Sequence, residues 1–411
     1  MTKTIAIVGG GAAGTFGAIA AATHDRSAKV IVLEATDCPL DKVRISGGGR
    51  CNVTNNCFDP AELVKNYPRG HRELKSIFSR FQPRDTVAWF ESRGVKLKAE
   101  PDGRMFPVTD SSATIVNCLL NAAAEFGVDL KYQSRVKAVR AVGERDSSPQ
   151  YEVDLHGESV LTCDRLLIAT GSSPQGYRLA ESLGHNIVPC VPSLFTFKVS
   201  DGRLDGLTGI SFDQVELLLA VGDKKFRQTG PMLITHWGLS GPAILKLSAF
   251  AARELSDSNY RVELSVNFLP GQKRESLLRR LAASRDHYGR KQVQVDGPLP
   301  IPKRYWSRVI QRLGIPEETT WSGLTKTAMD AIVSEFTDAR FAVIGKGIFK
   351  EEFVTCGGVN LKEIDFKMMQ SKLCPGLFFA GEILDIDGIT GGFNFQSAWS
   401  TGWVAGSAMA G

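Results

Sequence analysis

What this chain lacks narrows its class before any motif is read. Among 411 residues, the eight cysteines (38, 51, 57, 118, 163, 190, 356 and 374) form no Cys-x-x-Cys pair and no Cys/His cluster with zinc spacing. No metal is therefore expected. A chain this long is not a small disulfide scaffold, and reduced thiols in a cytoplasmic protein are the simplest reading. Charge of one sign is missing as well: 49 Lys and Arg against 44 Asp and Glu leave +5, which compels no polyanionic partner. Long apolar runs are also absent. The two uncharged stretches, residues 5–23 and 388–411, contain five and six glycines, whereas a spanning helix wants about 20 predominantly apolar residues. The first imitates a signal peptide only superficially, the second reads as a loop plus a buried helix, and no membrane segment is expected. There is no internal repeat and no low-complexity run.

Glycine is the residue in excess. Of 41 glycines, 8 lie in residues 1–60 and 12 in residues 341–411, so the two ends of the chain share a need for sharp turns or close backbone approach. At the amino end, the apolar strand Thr4-Ile5-Ala6-Ile7-Val8 leads into Gly9-Gly10-Gly11-Ala12-Ala13-Gly14. A small-residue helix follows, then a second apolar strand, Val30-Ile31-Val32-Leu33, ending in Glu34. Strand, G-x-G-x-x-G, helix, strand and acid in this order are the dinucleotide fingerprint. Gly9 permits the turn, Gly11 admits the pyrophosphate, and Gly14 lets helix and strand touch. Ala12 and Ala13 open the helix whose N-terminus faces the phosphates, and Glu34 is placed to hydrogen-bond the adenosine ribose. A second loop, Ser46-Gly47-Gly48-Gly49-Arg50-Cys51-Asn52-Val53-Thr54-Asn55, holds three consecutive glycines that no ordinary helix would carry. Its blandest reading is a surface loop, and its functional reading is close backbone contact with a ligand.

These loops, together with Thr235-His236-Trp237-Gly238-Leu239-Ser240-Gly241-Pro242 and the closing Leu377-Phe378-Phe379-Ala380-Gly381-Glu382 and Gly391-Gly392-Phe393-Asn394-Phe395-Gln396, resemble the BaiN-like NAD(P)/FAD-dependent oxidoreductases. These aminoacetone-oxidase-type flavoproteins are distant relatives of glutathione reductase. The resemblance covers residues 4–409 and is weakest across 271–345. It implies an α/β fold: a discontinuous Rossmann-like FAD-binding domain (1–189 and 353–411), an inserted β-rich domain (190–270 and 341–352) and a small basic helical subdomain (271–340).

The same resemblance implies FAD contacts beyond the fingerprint. These are Lys42, Ser46, Gly48, Gly49, Arg50, Cys51 and Asn52 in the second loop region and Val136 beside the adenine. Ala169, Thr170 and Gly171 follow at the end of a returning strand. Gly381 and Glu382 stand near the ribityl chain, and Gly391, Gly392, Phe393, Asn394 and Phe395 start a helix aimed at the flavin pyrimidine. Lys42 closes Leu40-Asp41-Lys42, where relatives carry Gly-Arg-Lys.

The expected function is hydride or electron-pair transfer through non-covalent FAD to or from a small organic substrate. No second G-x-G-x-x-G exists, so NAD(P)H, if it is the donor, docks transiently. His236 and Asn52 are the candidate catalytic side chains; the alternative for His236 is a structural role in its turn. An amine oxidase is one alternative activity. A thiol–disulfide oxidoreductase using Cys51 and Cys57 is another, although six helical steps place these residues about 240° apart. Residues 271–312 carry 11 Lys or Arg against 3 acids. With Tyr288, Tyr305 and Trp306 available for stacking, they offer a nucleic-acid or acidic-partner surface. A solvated helical face is the preferred reading, so nucleic acid is not the expected partner. The residues leave the oligomeric state open.

Overall fold

The computed structural model describes residues 2–142, 150–157, 159–347 and 354–411. The turn expected at 143–150 falls outside them except for Gln150, as does the 348–352 part of the expected return to the β layer. The chain divides into two compact units, Met1–Cys190 with Thr355–Gly411, and Val191–Val354.

The first unit is built on a sheet whose five consecutive parallel strands are β1 (Thr4–Val8), β2 (Lys29–Leu33), β3 (Asp129–Lys131), β4 (Arg165–Ile168) and β5 (Leu377–Phe379). Their spatial order is β5-β4-β1-β2-β3, and a hairpin of Ile364–Asp365 and Gln370–Ser371 extends the β5 edge. The central strands are apolar throughout because helices cover both faces of such a sheet. The first helix, Ala12–His24, is buried from Ala13 to Ala22 on every side, so its small side chains are a packing requirement. It lies against the last helix, Phe393–Ala410, with glycines in the seam. A Cβ on Gly402 would stand 2.5 Å from the Ala13 carbonyl oxygen, and one on Gly406 only 2.1 Å from that of Gly17. The apolar spacing over 115–123 forms a helix, Ser112–Glu125, with Ile115, Val116, Leu119 and Ala123 buried.

The second unit is a closed six-stranded barrel of Phe197–Val199, Gly238–Ser240, Lys224–Thr235, Ser211–Val221, Val262–Asn267 and Ala339–Lys346, in that spatial order. The expected β-rich insertion is thus a barrel, which leaves no open sheet edge. The helices Arg274–Tyr288, Lys303–Arg312 and Lys326–Thr337 share one hydrophobic core with it, from Leu217 and Leu264 to Leu277, Trp306 and Phe336. This corrects one expectation. Tyr305 and Trp306 are 0% and 1% exposed, and the Trp306 indole donates to the Val293 carbonyl at 2.7 Å, so neither stacks on a base; Tyr288, at 46%, does face solvent.

Gly406→Ala separates helix propensity from packing. Propensity alone predicts a gain of about 1 kcal/mol. The clash with the Gly17 carbonyl predicts a net loss of about 1–3 kcal/mol, as for other overpacked interiors. Chemical denaturation of the variant should show the loss; an unchanged or raised midpoint would remove the tight seam.

Candidate functional site

Parallel strands end at one edge of a sheet, and the register makes that edge explicit. Val8 pairs with Leu33 and with Ile168, and Ile168 pairs with Phe379. The residues that follow each strand, Gly9, Glu34, Ala169 and Ala380, therefore share the carboxyl edge, where open α/β sheets place their ligands. Gly9, at φ +107°, turns there, and its Cβ would meet the Ala169 carbonyl oxygen at 2.5 Å. Gly14 has no room for a side chain beneath Gly9, since a Cβ would lie 1.9 Å from the Gly9 carbonyl oxygen. Gly11 meets nothing within 4 Å, and no side chain caps the first helix. Open space thus lies before unsatisfied helix N–H groups, the requirement of a phosphate cradle. Glu34 turns back over this loop: Oε2 accepts from Gly10 N at 2.8 Å, and Oε1 from Thr36 N at 2.8 Å.

The second loop breaks away from the helix Asp41–Gly49 at Ser46, whose ψ of 151° ends the helical path. Gly47, Gly48 and Gly49 then run left-handed at φ 58°, 68° and 82°, followed by Cys51 at 60°. A Cβ on Gly48 or Gly49 would meet no atom within 4 Å, so these two face open space. Arg50 is held outside the glycines by Glu100 at 2.8 Å and by the Phe106 ring at 4.0 Å. Lys42, on the same helix, pairs with Glu382 at 2.5 Å across 340 residues of sequence, and the pair flanks Gly171.

The remaining predicted residues cluster at the start of the last helix. Gly392 has φ 89°, and no side chain caps the helix. With the Asn52 amide oriented to satisfy both neighbours, its oxygen accepts from Gly392 N at 2.9 Å and its nitrogen donates to the Thr54 carbonyl at 3.0 Å. Asn55 donates to the Gly391 carbonyl at 3.0 Å, and the Trp399 indole donates to the Val53 carbonyl at 2.9 Å. The loop from one end of the chain is thereby stitched to the helix from the other. Asn394 closes its own loop by accepting from Gly388 N and donating to the Gly388 carbonyl. Asn52 has both amide atoms engaged, which makes it a positioning side chain rather than a free catalytic one.

Several supporting residues escaped the sequence. Tyr67, buried, donates to the Phe393 carbonyl at 2.7 Å, and Arg69 forks onto Asp387, whose side chain is fully buried. Gln396 is buried and accepts from both Thr54 and Thr86. Thr170, already expected in the site, has its Oγ1 buried without a protein partner among the described residues, beneath Gly176, where a Cβ would come within 1.8 Å. The Tyr67-Pro68-Arg69-Gly70 turn was the one local signal; the pairings themselves join residues more than 300 positions apart.

Other expected site residues sit on other elements, Val136 two residues after Ser134, whose N–H donates to the Glu34 carbonyl at 2.7 Å. Val136 begins a three-stranded antiparallel sheet, and Gln175 donates weakly to its carbonyl at 3.4 Å. His236 belongs to the second unit, exposed in the tight turn between Lys224–Thr235 and Gly238–Ser240, with Nδ1 3.5 Å from Thr208 Oγ1. Cys51 and Cys57 are unbridged; Cys51 is wholly buried, and burial pushes its thiol up to about 12 despite the Ser46 hydroxyl. A buried, protonated thiol is a poor redox nucleophile, which argues against the disulfide alternative.

A glycine-lined carboxyl edge, an uncapped helix facing open space, an acid after β2, an orphaned threonine hydroxyl and a second uncapped helix from the far end of the chain fit a dinucleotide whose second half is a flavin. The chain is an FAD-dependent oxidoreductase with a Rossmann-type domain. It belongs to the family described as HI0933-like protein Rossmann domain, whose model matches residues 3–408. It is 31% identical to the ribosomal RNA dihydrouridine synthase of Escherichia coli (strain K12), over 97% of this chain and 96% of that protein. It is 28% identical to the 3-dehydro-bile acid delta(4,6)-reductase of Clostridium scindens (strain ATCC 35704), over 99% and 98%. Among solved structures, the 3-ketosteroid-delta4-(5alpha)-dehydrogenase from Rhodococcus jostii RHA1 aligns over 100% of this chain and 97% of its own, with a TM-score of 0.52 at 15% identity, a likeness of fold. Among the described residues, no group of His, Cys, Asp and Glu could hold a metal ion, and no helix is long and apolar enough to cross a membrane.

Because burial holds Cys51 protonated up to about 12, alkylation of the native protein at about pH 9 should leave it unmodified. Denaturant should release it. Mass mapping of rapid native labelling at Cys51 would contradict this burial.

Proposed function

We propose that this protein is an FAD-dependent reductase that saturates the C5–C6 double bond of a uracil base in ribosomal RNA, with NADH or NADPH as donor. The observation that carries this reading is the 31% identity, over nearly the full length of both chains, with a ribosomal RNA dihydrouridine synthase. The chemistry is coherent with the second relative. Dihydrouridine differs from uridine by two hydrogens across a double bond conjugated to a carbonyl, and a delta(4,6)-reductase of a 3-dehydro-bile acid reduces double bonds conjugated to a carbonyl. Composition favours a small molecule over nucleic acid; the full-length similarity is what supports RNA as the substrate class in this proposal.

In such a reaction the nicotinamide is oxidised and the base gains a hydride at C6 and a proton at C5. FAD, when bound, supplies the two-electron relay between donor and base. This chain's residues supply the rest. Gly9, Gly11, Ala12, Ala13 and Gly14 take the pyrophosphate at the first helix N-terminus, and Glu34 takes the ribose hydroxyls. Lys42 and Glu382 flank the ribityl side, and Thr170 offers its free hydroxyl. The start of the last helix, held by Asn52, Asn55 and Tyr67, would offer its N–H groups to the flavin end of the cofactor, a helix terminus that favours negative charge. The sequence carries one G-x-G-x-x-G, which favours transient docking of the nicotinamide.

Glu34→Ala should weaken FAD binding about 10- to 100-fold, since a hydrogen bond to a charged group contributes about 1.5–3 kcal/mol. Titration of the apoprotein with FAD measures this, and unchanged affinity would remove Glu34 from the site. For the reaction, FAD-loaded protein is given NADH or NADPH and ribosomal RNA from a strain deleted for this gene, and the digested nucleosides are weighed. Dihydrouridine formed only with donor and protein supports the reading. No dihydrouridine, with rapid anaerobic flavin bleaching and reduction of a conjugated 3-oxosteroid instead, transfers the function to the steroid class. Peroxide formed from amines in air would make it an oxidase.

A further inference from the structure

The second unit carries a feature that the cofactor chemistry does not use. Helix Lys303–Arg312 buries Tyr305, Trp306, Val309 and Ile310 and turns Lys303, Arg304, Ser307, Arg308, Gln311 and Arg312 outward. It has no acid along its length. Arg304, Arg308 and Arg312 stand at i, i+4 and i+8, where like charges repel at about 0.2–0.5 kcal/mol per pair. Its first turn carries two cations and no acid, the reverse of what the helix dipole favours. Asp296 offsets Lys303 and Asp201 lies near Arg312, while Arg304 and Arg308 have no ion pair among the described residues.

The face is one wall of an open groove of about 480 Å³, lined elsewhere by Gly206, Leu207, Gln292, Gln294, Val295 and one acid, Glu317. Lys303 is tethered to Asp296 at 2.9 Å and Arg304 to the Gly206 carbonyl at 2.5 Å, which fixes the wall. Arg308 has no ion pair among the described residues, and the amides of Gln292, Gln294 and Gln311 have no hydrogen-bond partner there. Arg280, on helix Arg274–Tyr288, donates to the Pro298 carbonyl, two residues after Asp296. Tyr288, exposed, follows on the same helix beneath the Lys291 ammonium at 4.7 Å. Cations along one helix, unpaired amides beside them and an exposed aromatic ring, Tyr288, in the same unit are elements of a surface for single-stranded nucleic acid.

We infer that this groove binds the RNA substrate, with Lys303 and Arg308 on backbone phosphates and the glutamine amides on ribose or base edges. This rests on the RNA reading above. It assigns RNA binding to the second unit, while the cofactor belongs to the first.

The test is the FAD-loaded double variant Lys303→Glu, Arg308→Glu, compared with wild type by filter binding to the same ribosomal RNA across a salt series. Both side chains lie outside the core, and flavin content with its absorbance spectrum checks that the fold survives; should the yield fall, Lys303→Gln, Arg308→Gln is read instead. We expect at least tenfold weaker binding and a salt slope shallower by about 1.4–1.8, the value for two lost phosphate contacts. KM for RNA should rise in step while kcat is held. Equal affinity and slope in wild type and variant overturn the groove. Absence of dihydrouridine with the wild-type protein instead sinks the proposed reaction, and the binding comparison still decides the groove on its own.

Discussion

The contact on which the first unit depends is backbone against backbone between its first and last helices. At Gly402 and Gly406 there is no space for even one methyl group between them, and at Gly17 a Cβ would press on the Gly402 carbonyl oxygen at 3.1 Å. Close approach of this kind removes side-chain freedom from the seam and leaves the relative position of the two helices almost no latitude. Everything at the carboxyl edge is referred to it. The first helix aims its N-terminus at the open space before Gly11, and the last helix aims a second N-terminus, at Gly392, from the other end of the chain. A dinucleotide with two chemically different ends needs two such anchor points at a set separation, and a pair of helices locked by glycine provides it.

The hydrogen bonds around the second loop extend the same constraint. Asn52, Asn55 and the Val53 carbonyl tie loop 46–55 to the last helix, while Lys42 and Glu382 tie the helix before the loop to the turn after β5. Tyr67, Arg69 and Gln396 close the far side with buried polar bonds that are fully made. Buried networks of this kind are costly when incomplete and specific when complete. The loop glycines can therefore stay bare, facing open space, because the residues between and beyond them carry the structure.

The second unit is organised differently. Its barrel leaves no edge, its helices share the barrel's core, and most of its aromatic residues, Tyr288 and Trp237 excepted, are spent on packing. What remains outside is charge. The basic composition of residues 271–312 was visible as a number, but a count does not distinguish a solvated face from a groove. Only burial separated Tyr305 and Trp306, which hold the core, from Lys303, Arg304 and Arg308, which line the cleft.

The sequence by itself determined the amino-terminal nucleotide fingerprint, the acid after β2 and the glycine loop at 46–55. These depend on local backbone geometry: a turn at positive φ, a strand length, a helix start. It also tied the two glycine-rich ends to one site, through motif resemblance rather than periodicity. Tertiary structure decided the rest. The glycine seam, the Lys42–Glu382 pair, the Arg69–Asp387 fork and the closure of the barrel all join residues far apart in the chain. So does the demotion of Asn52 from catalyst to brace, because whether an amide is free depends on what a distant helix lays against it. A residue's type and neighbours in sequence state what it can bond; which bond it has already made is a property of the fold.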